Sequence, residues 1–268
     1  MTMSAERASG DRAGSGTGTL GKAMAVLDTV ARAERPLRFR DLREAIPQPA
    51  ATLHRQVSNL VSEGLLQVNP DHSYQLGVRL LRFASNAWSG NRFREVAEPH
   101  LAALHAATGE TVHLGVLHDL EVVYLDKVES RQSVRMHSQI GNASPCYCTG
   151  VGKAALAAMP MQAAQALVRR LTFRRHTETT ITDASALLAE IADIRRTGIA
   201  FDREEHEPGI HCIAAPIHSP DRSLVGAVSV TAPSYRIAMA QLAGWADEVR
   251  RTAQAINNDI EIRLGPRA

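Results

Sequence analysis

The chain has 268 residues, a formal net charge of +2, 44% hydrophobic and 4% aromatic residues, and three cysteines. That length has room for two domains with separate cores. No apolar run approaches the roughly 20 residues of a membrane span, the sparse aromatics disfavour RNA or single-strand binding through stacked bases, and an odd cysteine count fits a reducing cytoplasm better than a disulfide framework.

Residues 1–18 are small and polar and lack the apolar segment of a secretion signal; they read as a disordered arm rather than a DNA-contacting tail. Leu20–Ala33 has helical spacing and opens a front domain over 19–77. Arg38–Ala45 is a short helix. Ile46-Pro-Gln-Pro49 forces a turn, because each proline lacks an amide donor and pushes its predecessor out of helical geometry. Pro49 then suits the first turn of a helix running to about Glu63, with Leu53, Val57 and Leu60 on one core-facing stripe. Leu65–Val68 and Ser73–Leu76 read as a hairpin around Asn69-Pro-Asp-His72. Helix, turn, helix, hairpin is the winged helix-turn-helix arrangement, which sets its second helix in a DNA major groove. Charge agrees: residues 1–92 carry 12 Lys+Arg against 8 Asp+Glu, whereas 93–268 carry 18 against 20.

Val78–Ser89 is a further helical pattern, read as a linker helix within 78–92, with Trp88 expected in a core. A second module, 93–268, opens with a helix over Arg94–Thr108. Thr111–Leu117 and Leu120–Asp126 read as a hairpin and Ser133–Ser138 as a third strand. Helices follow over Thr149–Met159, Met161–Leu171 and Asp183–Arg196, the last capped by Thr182 or Asp183. Strands over Ile199–Arg203, Ile210–His218 and Leu224–Thr231 and one long helix over Met239–Ile262 complete an α+β pattern.

Gly150-Val-Gly-Lys153 invites a phosphate-loop reading, and that reading fails. Tyr147 stands where the loop needs glycine, and Ala154 offers magnesium no hydroxyl. What survives is a helix start whose backbone amides suit a small anion, or glycines used only for a tight turn.

Several motifs in order now carry a resemblance: Pro49-Ala-Ala-Thr-Leu-His-Arg55, Thr149-Gly-Val-Gly-Lys-Ala154, Gly198-Ile-Ala-Phe-Asp-Arg-Glu-Glu-His206 and Gly209-Ile-His-Cys-Ile-Ala-Ala-Pro-Ile217. Over about residues 19–263 the chain resembles the IclR-type bacterial transcription regulators. The resemblance implies a winged helix-turn-helix domain, a linker helix, and a C-terminal GAF-like α/β effector-binding domain with an antiparallel sheet. It also implies a homodimer, or a dimer of dimers, on a pseudo-palindromic double-stranded operator. Carried over position by position, the effector pocket takes Gly150 and Val151 as amide donors, then Asp202, Ile210, Cys212, Ser229 and Thr231, with Ser133 and Met136 facing them.

The match weakens at Ala50 and Ala51, where the family usually carries basic or polar residues, and at Pro47, where its turn often carries glycine. Readout then falls to Gln48, Thr52, His54, Arg55 and Ser58, with Arg38 or Arg40 on phosphate; the rival role for Arg55 is an intradomain ion pair. In the pocket a ligand carboxylate belongs on the Gly150 and Val151 amides, while an ionised Asp202 suits a hydroxyl donor. The expected effector is therefore a small hydroxy or keto acid, sugar acids included, rather than a flat aromatic acid. The whole chain reads as a ligand-responsive regulator of a catabolic operon, not an enzyme, with no cofactor or metal. The rival is a thiol-based redox or metal sensor, or a sulfur-handling enzyme, using Cys146, Cys148 and Cys212. It requires a thiol pKa depressed by the Gly150 helix start, His211 or His137, or a zinc site that the Cys-x-Cys spacing supports poorly.

Overall fold

A computed structural model describes residues 18–132, 138–219 and 224–264. Among them, no helix is long and apolar enough to cross a membrane. The chain divides into two units, 1–90 and 91–268.

In the first unit, α1 (Thr19–Ala31), α2 (Phe39–Ala45) and α3 (Ala50–Ser62) surround one core. Each contributes the apolar stripe that helical spacing dictates: Val26, Leu27 and Val30 from α1, Leu42 from α2, and Leu53, Val57 and Leu60 from α3. The Asp41 carboxylate caps α2 by accepting the Arg38 amide at 2.9 Å, and this hydrogen bond holds its pKa below the usual range. Strands β1 (Leu66–Val68) and β2 (Tyr74–Leu76) pair antiparallel with Gln67 opposite Gln75, and the buried Leu66 joins the hairpin to the core. At the hairpin tip Asp71 accepts from the Ser73 amide and hydroxyl. Helix α4 (Arg79–Ser89) buries none of its residues. Trp88, expected in a core, is 39% exposed there, and Val78, Leu81 and Phe83 are exposed as well. Of its apolar positions, Leu80 packs against the core of this unit, and the others stay outside it.

The second unit is built on a six-stranded antiparallel sheet in the order β5-β4-β3-β8-β7-β6. These strands are β3 (Thr111–His118), β4 (Glu121–Val128), β5 (Ala143–Pro145), β6 (Ala200–Arg203), β7 (Ile210–His218) and β8 (Val225–Pro233). Side chains alternate between the two faces of a strand, so one strand feeds two cores. Val112, Leu114, Ile213, Ala215, Val228 and Val230 face α5 (Arg92–Thr108), α9 (Met239–Gly244) and α10 (Ala246–Leu264). Val122, Ala200, Ala214 and Ala227 face α6 (Gly150–Ala158), which is backed by α7 (Met161–Val168) and α8 (Ala184–Thr197). The central strand β8 is buried along its whole length.

Two expectations change. The terminal helix is two helices, not one: after Gly244, a poor helix former, Trp245 leaves helical geometry (φ −88°, ψ 4°) and its amide closes a tight turn on the Leu242 carbonyl at 3.1 Å. The third strand of the sheet edge is Ala143–Pro145, paired to β4 with Val122 opposite Ser144. Of the expected strand over Ser133–Ser138, residues 133–137 lie outside the described residues, and Ser138 belongs to no strand. The cap of α8 is Asp183, whose carboxylate accepts the Ala186 amide at 2.9 Å.

Candidate functional site

On α3, the face opposite the core stripe presents Ala51, His54, Arg55, Ser58 and Asn59 to solvent, with Thr52 half-buried beside them. His54 is steadied by an edge contact with the Phe39 ring, centroids 5.5 Å apart. Arg55 makes no ion pair among the described residues, so the intradomain pair weighed against its DNA role is absent there. Arg38 reaches Asp71 of the hairpin tip at 3.6 Å and Arg40 lies 3.5 Å from Asp41; both guanidinium groups stay largely exposed. Gln48 is half-buried in the turn, and its side-chain carbonyl oxygen is buried with no partner among the described residues. Asn59 was not singled out from sequence; its place one turn beyond Arg55 on the same face is the signal that finds it.

In the second unit a cavity of about 320 Å³ opens where the start of α6 meets the sheet. Register places its floor. Asp202, Cys212 and Thr231 stand opposite one another across β6, β7 and β8, and directly paired residues share a face. Ile210, Gly150 and Val151 complete the part of the wall that sequence named. Ser229 lies on the same face, between His113 and Ala214, but is fully buried and does not line the cavity. Its hydroxyl is buried with no hydrogen-bond partner among the described residues, one position along the strand face from the cavity wall. Ser133 and Met136 lie outside the described residues.

Close approach explains the glycines. A Cβ on Gly150 would fall 2.9 Å from the Cys212 sulfur, and one on Gly152 only 2.4 Å from the Cys146 backbone. The first turn of α6 is therefore pressed against β7 and its own preceding loop. Thr149 caps the helix, accepting the Gly152 amide at 3.1 Å. The amides of Gly150 and Val151 precede any intrahelical acceptor and sit at the cavity wall.

Several lining residues escaped the sequence reading. His113 of β3 is buried, with Nε2 2.7 Å from the Ser138 hydroxyl and Nδ1 3.4 Å from the Thr231 hydroxyl. Burial, reinforced by the Lys127 charge, pushes its pKa down to about 3, so it is neutral at physiological pH. Tyr124 of β4 stacks obliquely on it at 5.0 Å, and burial raises the phenol pKa. Ser144, Asn142, His206 and Glu207 close the rim. The strand alternation that puts His113 opposite Ser229 is a signal for the first of these; Tyr124 and Ser144 come from β4 and β5, Asn142, His206 and Glu207 from loops, and all depend on long-range packing.

Beneath the cavity lies a buried charge cluster that the sequence reading met only as a failed phosphate loop. Lys153 is completely buried; its ammonium donates to both Glu205 oxygens at 2.6 and 2.8 Å and to Glu190 at 3.0 Å. The Glu205 amide in turn donates to Asp202 Oδ1 at 2.7 Å. The turn that places Glu205 is pinned from outside by Thr177 and Thr180, whose hydroxyls donate to the carbonyls of Glu204 and Glu205 at 2.6 and 2.7 Å. Asp202 itself is 5% exposed, and burial, with the Glu205 charge adding to it against the Glu205 amide, pushes its carboxyl up to about 7. The role of Asp202 as an acceptor when ionised therefore gives way to that of a donor as the carboxyl takes up a proton.

The thiol rival meets the opposite of what it needs. All three cysteines are free and buried, and burial pushes Cys146 and Cys212 up to about 12 and Cys148 higher. His211 points away, toward Glu204 and the Ile237 carbonyl, while His137 lies outside the described residues. Among the described residues no three His, Cys, Asp or Glu side chains converge as metal ligands.

With this geometry in hand, the comparisons are specific. The bacterial transcriptional regulator IclR C-terminal family matches residues 86–258, and the IclR helix-turn-helix domain matches 19–70. The chain is 32% identical to the probable transcriptional regulator SauR of Cupriavidus necator over 87% of this chain and 92% of that one. Among solved structures it superposes on an IclR transcriptional regulator from a Silicibacter species with a TM-score of 0.79 at 28% identity, covering 94% of this chain and 98% of that one. An IclR homologue from Microbacterium hydrocarbonoxydans complexed with 4-hydroxybenzoate gives a TM-score of 0.72 at 25% identity, covering 91% and 100%. The chain belongs to the IclR family of DNA-binding, ligand-responsive transcriptional regulators.

Proposed function

We propose that this IclR-family chain regulates a catabolic operon in response to a small hydroxy or keto acid, sugar acids included, bound in the α6 cavity. The observation that carries the reading is the makeup of that cavity. It joins the amides of a helix start to hydroxyl, amide, imidazole and carboxyl groups, set among apolar surface from Tyr124, Val151 and Ile210. A small carboxylate finds donors at Gly150 and Val151, and its remaining oxygens meet Thr231, Ser138 and Ser144. The Microbacterium relative is complexed with 4-hydroxybenzoate; the several hydroxyl and carboxyl groups in the lining here match the hydroxyls of an aliphatic hydroxylated acid.

On the DNA side, α3 enters the major groove of a double-stranded operator. Thr52, His54, Arg55 and Ser58 face the bases or nearby phosphates from α3, Gln48 from the turn before it, and Arg38 and Arg40 hold phosphate. The alanines at 50 and 51 leave readout to fewer side chains, so a homo-oligomer, a dimer or a dimer of dimers, supplies the phosphate contacts that one copy lacks. The protein acts by binding rather than by catalysis.

Thermal unfolding of the full chain tests the ligand class. Saturating hydroxy, keto or sugar acids stabilise it by mass action, about 2.7 kcal/mol at a hundred times Kd. Stabilisation by benzoate-type acids alone overturns the assignment.

A further inference from the structure

We propose that Asp202 serves the cavity as a hydrogen-bond donor, so that a small carboxylate enters together with one proton taken from solvent. This rests on the acid-effector reading above and specifies the protonation state in which that acid is held.

The arrangement of charge requires it. Among the described residues no lysine or arginine lines the cavity, yet two carboxyl groups do, Asp202 and Glu207. Lys153, in the cluster beneath, is already shared between Glu205 and Glu190. Asp202 is more than nine-tenths buried, and its Oδ1 is occupied by the Glu205 amide. Its Oδ2 has no partner among the described residues and belongs to a residue that lines the cavity. The site for a ligand carboxylate adjoins it: the Asp202 amide nitrogen lies 3.6 Å from the point a Cβ on Gly150 would occupy. Two carboxylates held side by side away from water do not both ionise; one keeps a proton, and that proton becomes the hydrogen bond between them.

The other titratable groups around Asp202 leave it as the carrier. From β3, His113 stays neutral against Ser138, and from β4 burial keeps the Tyr124 phenol protonated. From β7 and the loop before α6, the Cys212 and Cys148 thiols stay protonated. Glu205 on the neighbouring turn and Glu190 on α8 are committed to Lys153 of α6. Burial lowers the pKa of His206, and the Glu207 side chain is 54% exposed, where water screens it. Asp202, with its carboxyl near 7, exchanges a proton in the neutral range. In the complex the Asp202 O–H donates to a ligand oxygen, and the Gly150 and Val151 amides donate to the same carboxylate.

The test uses the full chain with lactate and pyruvate as hydroxy- and keto-acid probes, titrated calorimetrically at pH 8 in buffers of different ionisation enthalpy. Uptake of about one proton per acid, with affinity falling about tenfold per pH unit between 7.5 and 9, is expected. Asp202→Asn carries a permanent N–H donor, so it binds the acids with no uptake and a flat pH profile. Binding without uptake in the unsubstituted protein overturns the inference but leaves the acid-effector reading standing, as does uptake that survives Asp202→Asn. If neither these acids nor sugar acids bind even at pH 5.5, where Asp202 is protonated, both fall. The uptake of the unsubstituted protein is a sufficient readout should Asp202→Asn fail to fold.

Discussion

The two units present their functional residues in opposite surroundings. On α3, His54, Arg55 and Ser58 stand exposed to water. Around the α6 cavity, Asp202, Lys153 and Glu205 are each at most 5% exposed, and their properties are set by burial and by one another. The same residue types thus play different parts. An exposed arginine is an independent point of affinity, and its removal subtracts one contact. A buried carboxylate or ammonium belongs to a network, and its removal leaves a charge stranded.

Substitutions sharpen this contrast in order of size. Lys153→Met strands the buried Glu205 without its cation, while Glu190 keeps Arg203 at 3.6 Å. It is expected to cost about 3–5 kcal/mol in urea unfolding, the range for breaking one side of a buried pair. A loss under 1 kcal/mol would show that water reaches the cluster.

Asp202→Asn acts in the other direction, and only at some pH values. Because the folded carboxyl sits near 7, above its ordinary 3.8, the unfolded chain gains from ionisation first as pH rises. The unsubstituted protein therefore loses stability between about pH 4 and 7, and the loss is complete above that. The variant escapes it, so it should exceed the parent by on the order of a few kcal/mol at pH 8 and match it near pH 4. Equal pH profiles would place Asp202 in contact with water.

Arg55→Ala is the smallest. Stability should stay within about 0.5 kcal/mol of the parent, as for exposed positions. Binding to operator and random DNA alike should weaken by about 1 kcal/mol, with the salt slope reduced by about 1, if the residue holds phosphate; relaxed preference at one base pair marks a guanine contact instead. A destabilised Arg55→Ala would erase the contrast between the units.

The same contrast explains what could be seen in the sequence. Helices α1 to α8 declare themselves through apolar spacing, prolines at starts such as Pro49 and glycines at ends such as Gly109, all local signals. The break at Trp245 is hidden because residues on both sides keep helical spacing, and β5 because three residues ending in proline carry no period. Family motifs point to Gly150, Val151, Asp202, Ile210, Cys212 and Thr231, which the sheet does gather around one cavity. They do not reveal that Ser229 is fully buried, nor that Lys153 turns inward to Glu205, fifty-two residues away. Those outcomes depend on which distant residues desolvate a group. That information is spread over α6, α8 and the turn at Glu205 rather than held in any one segment.

The central claim is that an acid in the effector unit governs DNA binding by α3. The most direct measurement is binding of the purified protein to its own upstream DNA and to random DNA across a salt series, with and without an acid that stabilises the chain. The account predicts a marked preference for the upstream DNA and a shift in that affinity when the acid saturates, since the acid must favour one of two states to act at all. Equal, weak binding to both DNAs, unmoved by the acid, would contradict it.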